Sequence, residues 1–285
     1  MRRALAAIAM VWPALLRGQA ATPPAAPTTD WSYSAKLTAV WVGGNSESST
    51  FGLGSTLRRQ GEHAELKFEA GGIRTESSLK TRAAVGSTTS YRVTETETVR
   101  KTAESYFART RHDRKLGSGM VVFAGADWLR NIFSGIDSRT LVALGAGRQW
   151  ADRDDFKLKT DLGFTYTFQE DVVENPFVKS KFPGVRFSAD LQRALTSTTK
   201  WESTLISDLN IDETDDLRAD FTNAVSVSIS TRLALKPSLQ LLWRNQPALT
   251  EIELFTETGT STGQKVNVPL EKMDSFFTLA LVVTL

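Results

Sequence analysis

From Trp31 onward, apolar and polar residues alternate with a period of two. The clearest stretch is Phe156 to Gln169. Phe156, Leu158, Thr160, Leu162, Phe164, Tyr166 and Phe168 fall in one phase, and Lys157, Lys159, Asp161, Gly163, Thr165, Thr167 and Gln169 in the other. An extended chain turns successive side chains to opposite sides, so this segment reads as a strand with one apolar and one polar face. It is longer than the usual strand of a soluble sheet, and about ten tilted residues are what a bilayer crossing requires. The same alternation recurs in Trp31 to Trp41, Leu66 to Ala70, Val185 to Leu191, Trp201 to Ile211, Phe221 to Ile229 and Phe277 to Leu285.

The pattern predicts about twelve strands, at 31–43, 49–60, 64–75, 104–115, 120–131, 138–150, 156–169, 185–193, 200–211, 217–230, 238–247 and 274–285. The intervening segments alternate in length. Those around Gly61, Gly117-Ser118-Gly119, Ala151 to Asp155, Ala194 to Thr199 and Thr231 to Pro237 are short, and the long ones, 76–103, 170–184 and 248–273, all fall at odd positions. A transmembrane barrel with both termini in the periplasm has short periplasmic turns and longer external loops in this parity. The expected fold is therefore all-β: an antiparallel transmembrane β-barrel over residues 31–285. Trp31, Trp41, Trp128, Trp150, Trp201 and Trp243 lie near predicted strand ends or on the apolar face, as interfacial belts do. The chain closes on an apolar stripe ending at Leu285, which suits a last strand that must pair with the first to leave no open edge in lipid.

The N-terminus predicts export. Arg2 and Arg3 precede an apolar run from Ala4 to Leu16, and Gly18 and Ala20 place small residues before a cut after Ala20. Residues 1–20 are expected to be a signal peptide and 21–30, rich in Pro, Ala and Thr, a flexible lead-in. With 34 basic and 32 acidic side chains the net charge is +2, and no basic tract points to nucleic acid. Mean hydropathy is −0.21 and no run outside the leader is long enough for a membrane helix; alternating barrel strands average to such a value. The chain has no cysteine, which removes disulfides, thiolate nucleophiles and thiolate metal ligands.

The residues that carry a resemblance are Trp31 to Trp41 followed by Val42-Gly43-Gly44-Asn45-Ser46-Glu47-Ser48. Further on stand Tyr106-Phe107-Ala108-Arg109, Asp113, Trp128, Asn131, Phe133, Ser134-Gly135-Ile136-Asp137 and Arg139. Gly145-Ala146-Gly147 and the strand Phe156 to Phe168 follow. Over residues 31–285 the chain resembles the salt-induced outer-membrane proteins, domain of unknown function 481. The resemblance implies an outer-membrane barrel and adds no established activity; a terminal Leu285 stands where such barrels usually end in Phe.

Candidate chemistry is sparse. A lipid-modifying barrel enzyme needs a Ser and a His within hydrogen-bond reach near the outer leaflet. The two histidines, His63 and His112, fall beside predicted periplasmic turns and have no evident Ser partner in sequence, so no catalytic residue and no cofactor is assigned. Asp212, Glu213, Asp215 and Asp216 form an acidic cluster read as a solvated outer loop, as are Asp152, Asp154 and Asp155 in a turn, and no metal site is assigned. Gly52, Gly54, Gly145 and Gly147 are read as relieving crowding or permitting bending in curved strands.

The polar phase of the strands supplies the candidate functional surface. Lys36, Arg58, Glu65, Lys67, Glu69, Lys157, Lys159, Asp161, Arg186, Asp190, Glu202 and Asp208 are assigned to the lumen. Such mixed charge fits either a wet pore with charge-set selectivity or an interior closed by ion pairs. The first expectation is a narrow channel or structural envelope protein of the bacterial outer membrane. Its partners are outer-membrane lipids and the barrel-assembly machinery. The alternative is an adhesion barrel acting through 76–103, 170–184 and 248–273.

Overall fold

The computed structural model describes residues 31–42, 46–87, 90–175 and 178–284. The expected leader and lead-in, Gly43 to Asn45 and Leu285 lie outside the described residues.

Among the described residues fourteen strands run in chain order: β1 (Trp31–Val42), β2 (Ser46–Gln60), β3 (Ala64–Ser87), β4 (Ser90–Gly117), β5 (Met120–Asn131), β6 (Ile136–Asp152), β7 (Phe156–Asp171), β8 (Lys181–Ala194), β9 (Thr199–Asn210), β10 (Leu217–Ser228), β11 (Leu233–Arg244), β12 (Leu249–Phe255), β13 (Ser261–Pro269) and β14 (Met273–Thr284). Twelve of them close a barrel in the order β1-β14-β11-β10-β9-β8-β7-β6-β5-β4-β3-β2, every neighbouring pair antiparallel. The seam joins β1 to β14 through Ser34–Thr284 to Leu37–Leu281. β12 and β13 form a separate hairpin within the β11–β14 connection.

The alternation decides which way each face points. On β7, Leu162, Phe164, Tyr166 and Phe168 are exposed on the outer surface, Phe164 by 75%, while Asp161, Thr165, Thr167 and Gln169 are buried inside. Leu144, Leu162, Phe277 and Leu279 belong to the same outward apolar surface. A soluble protein would not leave this much contiguous apolar area in water; a bilayer covers it.

The connections β2–β3, β4–β5, β6–β7, β8–β9 and β10–β11 are short and lie at one end, with the first and last barrel strands ending there. The other end carries the longer connections. Three expectations need correction. Residues 76–103 are largely strand: β3 and β4 continue past the barrel as one hairpin, paired from Glu76–Lys101 to Ser87–Ser90. Its Thr-rich, charged sequence lacks an apolar phase, so the alternation signal fails although β-branched residues still favour strand. Residues 248–273 likewise hold the β12–β13 hairpin.

Residues 231–237 are not a connection throughout: β11 begins at Leu233 and includes Pro237. Proline has no N–H to give to a ladder. The β10–β11 ladder is interrupted there, passing from Ala224–Ser238 to Val227–Leu235, while Pro237 sits opposite Leu279 of β14.

Candidate functional site: the barrel interior

The interior face of β5–β8 is filled. Phe123, Leu141 and Phe182 are buried among Thr165, Thr167, Gln169 and Ser188. Glycine makes this possible: a Cβ on Gly145 would collide with the backbone of β7 and the Phe123 ring, and one on Gly147 with the Asp161 carboxylate. The expectation that these glycines relieve crowding matches that geometry.

Three ionic groups occupy this interior. The first lies toward the short-turn end. Arg111 stacks over the Phe123 ring at 4.0 Å and reaches Asp113 at 2.7 Å and Asp161 at 2.8 Å. Lys159 meets Asp113 at 2.5 Å and stands 3.7 Å from Asp161, which also accepts a hydrogen bond from Ser188. β4 and β7 are not neighbours, so these bonds tie strands across β5 and β6. The second group is Arg186, which donates twice to Asp208 (2.7 and 2.9 Å) and once to Asp127 (2.5 Å), spanning β5, β8 and β9.

The third group lies at the long-loop end. Arg218 makes a two-pronged contact with Asp216, at 2.9 and 2.5 Å, and donates to Gln169 at 2.6 Å. Arg244 approaches Asp216 at 3.6 Å and Asp171 at 3.9 Å. Asp216 is completely buried, which corrects its assignment to a solvated loop. A buried carboxylate persists only with partners that replace its water, and two arginines serve. Burial alone would push its carboxyl up; hydrogen bonds and charge from Arg218 and charge from Arg244 outweigh that and hold it below the ordinary carboxylate range. The rest of the cluster divides: Asp212 pairs with Lys179 at 2.9 Å, and Asn210 caps the turn by accepting from the Asp212 and Glu213 amides.

The β1–β3 wall is different. Its inner positions hold Gly52, Gly54 and Gly71 beside charged side chains that stay partly exposed. Arg58 pairs with Glu65 at 2.6 Å, Lys67 with Glu69 at 3.0 Å, and Lys236 on β11 pairs with Glu202 on β9. Arg58 and Lys67 side chains are 44% and 40% exposed, against 3% for Asp161. Lys36 stands among these groups within the electrostatic reach of Glu69, Glu202, Lys67 and Lys236. Among the described residues no carboxylate lies within ion-pair distance of it.

All twelve sequence-assigned lumen residues therefore have a definite place. Lys36, Arg58, Glu65, Lys67, Glu69 and Glu202 gather on the less crowded side. Lys159, Asp161, Arg186 and Asp208 enter the packed networks. Asp190 accepts from Thr204, and Lys157 sits at the rim with Asp152 at 3.1 Å. Sequence reasoning did not assign Arg111, Asp113, Asp127, Arg139, Asp171, Arg218, Lys236 or Arg244 to the lumen, although Asp113 and Arg139 are among the residues that carry the family resemblance. Their signal was the polar phase continued to strand ends, obscured in β4 and β5 by weak patterning and elsewhere by proximity to loops. Of the two histidines, His63 is in the β2–β3 turn and His112 is exposed on β4, in register with Leu66 and Ala124.

The long-loop mouth is crossed. The β5–β6 turn is a single 3₁₀ turn, Ile132–Ser134, closed by Gly135 at φ 73°. Ser134 donates to Asp274 of β14 at 2.5 Å, and Gly135 packs so closely on Ala248 that a Cβ would overlap it. By strand order, the β5–β6 turn and the β11–β14 boundary stand on opposite sides of the barrel. The contact is therefore a strap across the mouth, joined by a hydrogen bond from Val172 to the Gly135 carbonyl.

A closed antiparallel barrel with an apolar exterior and a charged interior is the architecture of membrane-spanning β-barrels. The family model described as a protein of unknown function, DUF481, matches residues 35–260, and the chain belongs to that family. No curated protein matches the sequence. Solved structures of similar shape include the NanC porin, at TM-score 0.45 and 8% identity over 89% of this chain and 100% of that one. An outer membrane channel from Pseudomonas putida F1 aligns at TM-score 0.41 and 12% identity, covering 94% of this chain and 100% of that chain. An anion-selective porin from Comamonas acidovorans aligns at 0.39 and 9%, covering 90% and 99%.

Proposed function

We propose that the chain is an outer-membrane barrel, exported by its N-terminal signal and inserted by the barrel-assembly machinery, that forms a narrow channel for small hydrophilic solutes. The long loops and the β3–β4 hairpin face outward and the short turns face the periplasm. The observation that carries this reading is the asymmetry of the interior. One wall is filled by Phe123, Asp161 and their partners, while the β1–β3 wall keeps glycines and half-exposed charges. A charge-lined passage along one wall is what a small conductance needs; a wide bore is not. Lys36 is the cation on that wall without a carboxylate partner among the described residues, and favours anions over cations.

A second reading, a closed structural barrel of the envelope, is favoured by the strap from Ser134 to Asp274. The test is single-channel recording of the refolded, heat-modifiable chain in planar bilayers. Small reproducible steps that change when Lys36 is neutralised support the channel. A folded barrel silent at all voltages, in the native chain and in Ser134→Ala alike, overturns it in favour of the structural reading.

A further inference from the structure

The outward face near the short turns carries a repeated feature that a channel does not require. At the end of each of β2, β4, β6 and β8, an outward position beside the short turn is arginine: Arg59, Arg114, Arg148 and Arg193. Register settles the face. Arg114 stands opposite Val122, Arg148 opposite Met120, and Arg193 opposite Trp201, all in the outward phase. All four arginines are exposed.

Aromatic rings accompany them at the same level. Arg59 lies over Trp31 at 5.6 Å and Arg148 over Trp150 at 4.5 Å, while Arg153, in the β6–β7 turn, lies over Phe156 at 5.6 Å and is already paired with Asp155 at 3.2 Å. Tryptophan settles at the headgroup level of a bilayer. The stacked guanidinium groups are therefore held at phosphate depth, facing lipid. Among the described residues none of Arg114, Arg148 and Arg193 forms an ion pair, and no carboxylate shares their outward phase at these strand ends. At the opposite rim the charges are compensated: Arg130 pairs with Asp137 at 3.0 Å, Lys101 with Glu104 at 3.0 Å, and Arg74 with Glu76.

We propose that this girdle is a binding surface for the phosphate headgroups of anionic phospholipids in the leaflet that surrounds the short turns. Guanidinium forms two-pronged hydrogen bonds to phosphate and keeps its charge at any physiological pH, so arginine suits this task better than lysine. A headgroup phosphate bridging neighbouring strands would also neutralise the mutual repulsion of the ring. The inference rests on the membrane-barrel reading and is independent of whether the lumen conducts.

The test uses the full mature chain inserted in phosphatidylcholine vesicles containing a minority of phosphatidylglycerol, with either lipid brominated. Quenching of the interfacial tryptophans reports which lipid is adjacent. Brominated phosphatidylglycerol should quench at least roughly twofold more than brominated phosphatidylcholine at equal mole fraction, an excess that falls with added salt. Arg114→Gln, Arg148→Gln and Arg193→Gln combined should abolish the excess while heat-modifiable migration persists; the Arg→Lys triple should retain part of it. Equal quenching by the two lipids in an inserted, heat-modifiable barrel overturns the headgroup site and leaves the barrel reading intact. A native chain that does not insert at all overturns both.

Discussion

The β5–β8 wall and the β1–β3 wall are built from the same strand pattern and end up with different interiors. On β5–β8 the inward positions alternate large and absent side chains, Phe123 against Gly145 and Gly163, and Asp161 against Gly147, so side chains interlock and water is displaced. On β1–β3 Gly54 stands opposite Gly71, which the Phe107 ring covers, and Lys67 and Arg58 keep water around their heads. An ion pair therefore means different things on the two sides. Arg218 with Asp216 replaces lost solvation in a dry site, whereas Arg58 with Glu65 exchanges one wet environment for another.

The largest expected effect breaks that difference at its dry end. Asp216→Ala strips Arg218 and Arg244 of their buried carboxylate partner and should cost about 3–5 kcal/mol, read from urea unfolding in detergent micelles. A loss below ~1 kcal/mol would mean that water already solvates the site. The pH dependence has a defined sign. The carboxyl of Asp216 lies below its ordinary value in the folded chain, so its contribution is complete above the unfolded value and is lost as pH falls through the folded one. Asp216→Asn should flatten that acid limb of the stability profile.

The outer surface gives the next effect. Phe164→Arg, at an outward position 75% exposed, should cost roughly 2–4 kcal/mol if that position lies near the bilayer midplane. The same substitution would be nearly neutral if the face met water, so refolding yield and unfolding in vesicles test the membrane assignment directly. Smaller again is overpacking. Gly145→Val drives a branched side chain into β7 and Phe123 and should cost about 1–3 kcal/mol. Gly54→Val, whose Cβ meets only the flexible Lys36 side chain at ordinary contact distance, should cost clearly less and instead reduce conductance.

The smallest effect on stability comes from Arg58→Ala, on the wet wall, at about 0–1 kcal/mol in the same assay. If Asp216→Ala and Arg58→Ala cost the same, the buried long-loop end and the β1–β3 wall do not differ in hydration. Lys36→Glu sharpens the functional side of the comparison: with stability little changed, the reversal potential in a salt gradient should move toward cation preference. An unmoved potential would place the passage elsewhere.

Much of this protein could be read from its sequence because a bilayer imposes a period-two pattern with lipid on one side. Phe156 to Gln169 announced a strand, its polar phase and its length, and the parity of long and short connections placed both ends of the barrel. The pattern failed where that constraint ended. Beyond the membrane neither face of Glu76–Ser87 needs to be apolar, so a long hairpin looked like a loop, and Pro237 looked like a terminator although it only interrupts one ladder. Family membership agreed with the residues that suggested it, over 35–260.

What sequence alone determined was therefore local and periodic: strand phase and approximate strand number. What only the tertiary structure decided was who meets whom. Arg111 with Asp161, Arg186 with Asp127, Gln169 with Arg218 and Ser134 with Asp274 join strands or turns that are neighbours neither in sequence nor in the sheet. Such contacts depend on barrel curvature and on how far each side chain reaches into a shared interior. A period of two carries no information about distance across a closed ring.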